Sequence, residues 1–307
     1  MSFSLELRFH PVYELLNSLH VYTQPSFYKK VELGTKWRNE IKKTITPEFA
    51  EALESEQKEG LGLLYEYIFS MEVKNFTIEQ IIQELLRTEE HEVIDFSIKH
   101  LHVPEDKRAS YQGTFQKSLQ ILQSWNEEYF RHIDPNILST LELDFKQKLN
   151  QLDTENPIEF VEKVTNGLLL KGFTDVKKVV LYPVYHASPI NTYSHYQHIH
   201  FYGYPVDLIP TTEEPSPRLM RRSVALSDKS RLQILRYLVQ HERSFTDIVK
   251  FIGLAKSTVH HHLVILRAAG FIQVIMSPDS SERFCLREEG LKGIYEDFQQ
   301  FLKPNRE

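Results

Sequence analysis

From Pro11 to about residue 170, apolar residues recur at three- and four-residue spacing, the period of helices that bury one face. Val12, Leu15, Leu16 and Leu19 form the first stripe. Pro11 precedes them at a first helical position, where a missing N–H costs nothing. Phe27, Val31, Trp37 and Ile41 predict a second helix, and Thr46 ahead of Pro47 marks another start. Leu61, Leu64, Tyr65, Ile68 and Phe69 share a face. Thr77 and Gln80 have the spacing of a capping box before Ile81, Ile82, Leu85 and Leu86. Phe115, Leu119, Leu122 and Trp125 continue the pattern. Pro157 then opens a helix carrying Ile158, Val161, Val164 and Leu168, expected to stop near Gly172.

The period changes at Lys177. Residues 179–185 and 193–202 are rich in β-branched and aromatic side chains and read as two strands of a hairpin, with a loop around 188–191. Pro183 places the first strand at an edge or breaks it. The stretch 210–217, with three prolines among polar residues, reads as a domain boundary. Beyond it, a helix opens at Ser227. A short helix from Thr246 ends at the turn residue Gly253, and a second runs from Leu254 to Gly270. Phe271 to Met276 and Arg283 to Leu286 read as strands around a polar wing. That order is a winged helix-turn-helix, whose second helix is built to enter the DNA major groove. The expected fold is mainly α. An acidic helical domain over residues 1–217, sensing or dimer-supporting, carries a small β hairpin near 177–204. A winged helix-turn-helix domain with a C-terminal dimerisation helix follows over 218–307.

Composition narrows the classes. The 307 residues are 41% hydrophobic and 25% charged, ordinary values for a globular chain of about two domains. No apolar run approaches the ~18 residues that span a bilayer, and the start lacks a basic segment followed by an apolar one. Cys285 is the single cysteine, which excludes intramolecular disulfides and thiolate metal clusters within one chain. A cytoplasmic location without membrane contact is the expectation. From Arg218 onward, 15 Lys and Arg stand against 10 Asp and Glu, a net of +5; with −6 for the whole chain, the preceding residues carry −11. A basic end on an acidic body suits DNA binding by that end.

At 100° per residue, Val259, Leu263 and Leu266 share the packed face of the second helix. Ser257, His261, Val264 and Ala268 lie opposite, with Thr258 and His260 on the flanks. Ser257, His260 and His261 are therefore candidates for base edges, and Lys256 and Thr258 for phosphates near the helix N-terminus. Arg267 further along the helix and Arg283 on the wing complete the candidate DNA-contact set. His262 borders the packed face and reads as structural. Consecutive helical histidines diverge and do not converge on one ion. In the last helix, Leu291, Ile294, Tyr295, Phe298, Phe301 and Leu302 form one amphipathic stripe, a candidate dimerisation face.

These residues resemble the DNA-binding domain of ArsR-type bacterial transcriptional regulators. The likeness rests on Ala225-Leu-Ser-Asp-Lys-Ser-Arg-Leu-Gln-Ile-Leu235, Gly253-Leu-Ala-Lys-Ser-Thr-Val-His-His-His-Leu263 and Leu266-Arg-Ala-Ala-Gly270, about a quarter of the chain. It implies a homodimer on a double-stranded operator, more often a repressor released by an effector. The DNA-reading positions it implies are Ser257, Thr258, His260 and His261, and it assigns the terminal helices to the dimer. Three departures stand out. Ala255 replaces a common capping serine, Val264 a common basic residue, and the wing holds Asp279 and Glu282. The family's metal-sensing cysteine pair is absent, as are the acid and histidine metal positions of its terminal helix. Residues 8–14 with Ser18 and Leu19 resemble the start of the long helical region of some larger ArsR-like regulators.

Outside the wing, His186, His195, His198 and His200 lie among tyrosines. In one strand His198 and His200 face together and His195 faces away. They are weak metal candidates beside the plainer reading of an aromatic hairpin, and no cofactor is expected. A pocket for a small-molecule effector is equally open. The body has no glycine-rich phosphate loop, no Gly-x-Ser-x-Gly elbow and no His-Glu-x-x-His, so no enzyme is expected. The alternatives are a winged helix that binds protein on a helical scaffold, and an enzyme localised to DNA.

Overall fold

The computed structural model describes residues 3–55, 58–101, 104–208, 214–278 and 280–303. In chain order, β1 (Ser4–Leu7) precedes α1 (Pro11–Thr23), α2 (Pro25–Tyr28), α3 (Gly34–Thr44), α4 (Pro47–Ser55), α5 (Lys58–Ser70), α6 (Ile78–Arg87) and α7 (Glu90–His100). After them come α8 (Thr114–Glu128), α9 (Pro135–Asn150), α10 (Pro157–Val164), β2 (Leu168–Leu170), β3 (Lys178–Val184), β4 (Thr192–Tyr196) and β5 (Ile199–Pro205). The remainder is α11 (Pro217–Leu226), α12 (Lys229–Tyr237), β6 (Arg243–Ser244), α13 (Phe245–Ile252), α14 (Lys256–Ala268), β7 (Ile272–Ser277), β8 (Ser280–Leu286) and α15 (Glu288–Leu302). The fold is mainly α, as the periodicity predicts.

Two compact units divide the chain: residues 5–149 with 176–206, and residues 3–4 and 150–175 with 207–303. The single boundary expected at 217 is therefore corrected. The chain leaves the second unit after residue 4, re-enters it at 150, leaves it at 176 and returns at 207. A proline-rich stretch marks only the last of these crossings, and residues 209–213 within it lie outside the described residues.

In the first unit α1 is the central helix. Leu15 and Leu19 have no exposed surface, and Glu14, Asn17 and Ser18 are buried with them. α5 and α8 pack around it, contributing Leu64, Ile68, Phe115, Leu119, Leu122 and Trp125 to the core. The Thr77–Gln80 capping box forms as expected, with reciprocal bonds of 2.8 and 3.2 Å. The expected helix through Phe27 and Trp37 is broken into α2 and α3, with Gly34 at φ +61 starting the second.

The expected hairpin is a four-stranded sheet of order β1-β3-β5-β4. β3 and β5 run parallel, and the antiparallel hairpin is β4–β5, turned at Gln197 (φ +51). Val179, Val180 and Leu181 are wholly buried, as befits a central parallel strand covered on both faces. Pro183 neither breaks this strand nor puts it at an edge: β3 runs through it, between β1 and β5.

In the second unit the wing sheet has the order β2-β7-β8-β6. β2 comes from the stretch read as helix: the helix stops at Val164, and residues 168–170 pair in parallel with 274–276. Asn166 (φ +58) and Gly167 (φ +116) make that break. A Cβ on Gly167 would lie 2.7 Å from Ile272 O, so the backbones approach where only glycine fits. Arg287 locks the seam, donating to Glu162 Oε1 at 2.6 Å and to Asn166 Oδ1 at 3.0 Å. The core of Ile234, Leu238, Ile248, Val259, Leu266 and Phe271 lies under this sheet.

Candidate nucleic-acid interface

The local sequence sets the turn between α13 and α14. Ser244 and Asp247 close a capping box at the start of α13, with the Asp247 N–H donating to Ser244 Oγ at 3.2 Å. Gly253 ends the helix in the left-handed region at φ +71. α14 then begins behind Ala255, which offers no side-chain cap. Its first backbone N–H groups are thus left to an outside acceptor, where the helix dipole also favours negative charge.

The helix divides as its periodicity predicts. Val259, His262, Leu263 and Leu266 are buried, whereas Lys256, Ser257, Thr258, His260 and His261 are all exposed around the first two turns. His262 is the structural histidine expected. It is 8% exposed, and burial pulls its pKa down. Its Nδ1 lacks a hydrogen-bond partner among the described residues.

The two arginines of the candidate set stand apart from this cluster. Arg267 is half-buried, eleven residues after Lys256 and so about 16 Å along the helix. Arg283 is engaged at the base of the wing: its Nη2 donates to Glu242 O at 3.0 Å, and its Nε lies 3.6 Å from Glu242 Oε2. Asp279, at the tip of the expected wing, lies outside the described residues. Sequence reasoning passed over Thr246 and Lys250, both exposed on α13, the helix that crosses the backbone in this motif.

α11 and α15 form a second surface. Asp297, 4% exposed, receives Arg222 Nη1 at 2.6 Å and also pairs with Arg218, fixing one helix on the other. A Cβ on Gly290 would lie 1.9 Å from Gly270 O, so the start of α15 also needs glycine. Ile294 faces the unit's own core. The rest of the stripe faces outward: Leu291, Tyr295, Phe298, Phe301 and Leu302 are exposed, the last at 70%, and on α11 Met220 and Val224 are exposed as well.

Residues 228–274 match the model of the bacterial regulatory protein family arsR. The helix-turn-helix is of ArsR type, a domain of DNA-binding transcription regulation. The match covers α12 through the first residues of β7. No curated protein and no solved structure matches the chain. The ArsR-type segment contains every candidate contact except Arg283.

The histidines of the first unit are arranged differently from the expectation. His195 and His200 stand opposite each other on β4 and β5, with ring centroids 6.0 Å apart, while His198 lies in the turn between the strands. His186 is committed elsewhere. Its Nδ1 is 2.5 Å from Glu14 Oε1, its Nε2 is 2.6 Å from the Tyr129 hydroxyl, and Trp37 Nε1 donates to that oxygen at 3.0 Å. Among the described residues no group of three or more His, Cys, Asp or Glu could hold a metal ion. No helix of the described residues is long and apolar enough to cross a membrane.

Proposed function

We propose that the chain is a sequence-specific transcriptional regulator that binds double-stranded operator DNA as a homodimer, more often as a repressor. The observation that carries the reading is α14. Lys256, Ser257, Thr258, His260 and His261 project together from an uncapped helix N-terminus within an ArsR-type segment. The uncapped N–H groups with Lys256 and Thr258 suit phosphate. Ser257, His260 and His261 suit base edges, because hydroxyl and imidazole groups both donate and accept hydrogen bonds.

The dimer is read from the apolar face of α11 and α15. Exposed leucines and aromatics along one face of α15 are expensive to leave in water, and a two-fold pairing of that face covers them twice. Such a dimer offers two copies of α14 to half-sites about one DNA turn apart. The reading places the protein in a bacterial cytoplasm and gives it no catalytic role.

The engagement of Arg283 with Glu242 favours a second reading, a winged helix that contacts protein, because it removes a cation from the wing. One pair of measurements separates the two. Sedimentation shows whether the chain is dimeric at micromolar concentration. Binding of the Ser257→Ala and His261→Ala variants to selected DNA shows whether α14 reads sequence. Loss of preference with the fold intact supports the first reading; a monomer without DNA affinity supports the second.

A further inference from the structure

A cavity of about 200 Å³ opens in the first unit between α1, α5 and β4. Tyr65, Phe69, Tyr182 and Tyr193 are among the residues that line it. Phe69 and Tyr182 are buried with centroids 5.4 Å apart, while Tyr193 stands 69% exposed. Two titratable side chains other than tyrosine line it, Glu66 and His20, and no lysine or arginine is among the described lining residues. Burial pulls the His20 pKa down to about 4, so its ring is neutral near neutral pH. Glu66 accepts a hydrogen bond from the Ser194 hydroxyl on Oε1, while Oε2 is buried with no hydrogen-bond partner among the described residues. An unsatisfied buried carboxyl oxygen is rare and costly, and among the described residues no group satisfies this one.

We propose that this cavity binds a small organic cation, an amine bearing a short apolar or aromatic group, with Glu66 as its counter-charge and the tyrosine and phenylalanine rings as its walls. The faces of aromatic rings attract an ammonium, and a carboxylate behind them fixes its position. A volume below the about 300–1,000 Å³ of drug-sized pockets limits the ligand to a single ring. Among the described lining residues an anionic ligand has no lysine or arginine to meet, and a neutral one leaves the carboxyl without a charge partner. The site goes beyond the DNA-binding reading of the winged helix and stands whether or not that reading holds.

Burial raises the Glu66 pKa from 4.5 to about 7, so below that pH the empty site holds a proton. An ammonium beside it favours the carboxylate and expels that proton.

The test is calorimetric titration of the full chain with phenethylamine, and with 2-phenylethanol and phenylacetate as the neutral and anionic counterparts. The amine is expected to bind at least about tenfold more tightly than either. Glu66→Gln is expected to bring the amine down to the level of the alcohol. Tyr193→Ala changes an exposed side chain, is tolerated by the fold, and is expected to weaken the amine several-fold. Near pH 6, about one proton per amine is expected to be released in the wild type, read as a dependence of the heat on buffer ionisation, and none above about pH 8.5. A folded wild-type chain that binds none of the three overturns the proposal. So does an amine bound no better than the alcohol, or one unaffected by both substitutions.

Discussion

The contact helix of one unit and the core of the other hold polar chemistry in opposite ways. In the winged-helix unit the apolar side chains of α14 turn inward, and the polar ones, Lys256 to His261, project from the surface. In the helical unit the polar groups are inside. Glu14, His186, Tyr129 and Trp37 form a closed hydrogen-bonded chain, and Glu66 lines a cavity. Outward groups can change partners without disturbing the fold, whereas inward groups are part of the fold. An exposed substitution in the first case changes recognition; a buried one in the second changes stability.

The comparison breaks most visibly where an inward group of the winged helix is removed. Leu263→Ala on α14 leaves a cavity in the core, with an expected cost of about 2–5 kcal/mol, read as a lower unfolding temperature in calorimetry. Next is the outward apolar face of α15. Phe298→Glu places a charge in the patch, with an expected loss of about 2 kcal/mol or more in dimerisation and little change in secondary structure, read by sedimentation. Ser257→Ala and His261→Ala are expected to cost about 1–3 kcal/mol each in discrimination between operator and altered operator, with thermal unfolding unchanged.

The smallest effect sharpens the comparison from the other side. The raised pKa of Glu66 gives stability that is present below about pH 4.5 and is lost as pH rises toward 7, because the unfolded chain releases its proton first. Glu66→Gln removes that dependence. The variant is expected to gain on the wild type between pH 4.5 and 7 and to hold that gain above. Discounted for partial exposure, the gain is about 1 kcal/mol. His20 acts in the opposite sense: with its pKa lowered to about 4, it costs stability as pH falls below 6.5. Unfolding measured against pH in both proteins separates the two slopes.

Local patterns were legible in the sequence and long-range ones were not. α13 and α14 lie within two residues of their expected limits because Gly253 and the spacing of Val259, Leu263 and Leu266 are local signals. Leu168 was misread because it continues the helical period of Val161 and Val164. The turn pair Asn166-Gly167 was the stronger signal, since both adopt positive φ there. Phe3, Leu5 and Leu7 alternate as a strand, but so short a run was passed over. The parallel pairing of β3 with β5 and the entry of β2 into the wing sheet depend on chain crossings that no periodicity encodes. The same holds for the cavity: Glu66 and Ser194 meet across 128 residues, and nothing local marks either. The engagement of Arg283, read as a candidate DNA contact on the wing, was hidden because Glu242 reaches it through β6, a pairing 39 residues distant in sequence at Ser244.

The most direct test of the central claim is selection of genomic DNA fragments by the purified full chain at moderate salt, followed by sequencing of what is retained. The account predicts a shared inverted repeat with half-sites about one helical turn apart, and its loss in the Ser257→Ala, His261→Ala double variant. Retention of no common sequence by a folded, dimeric chain, or retention that the double variant leaves unchanged, would contradict it.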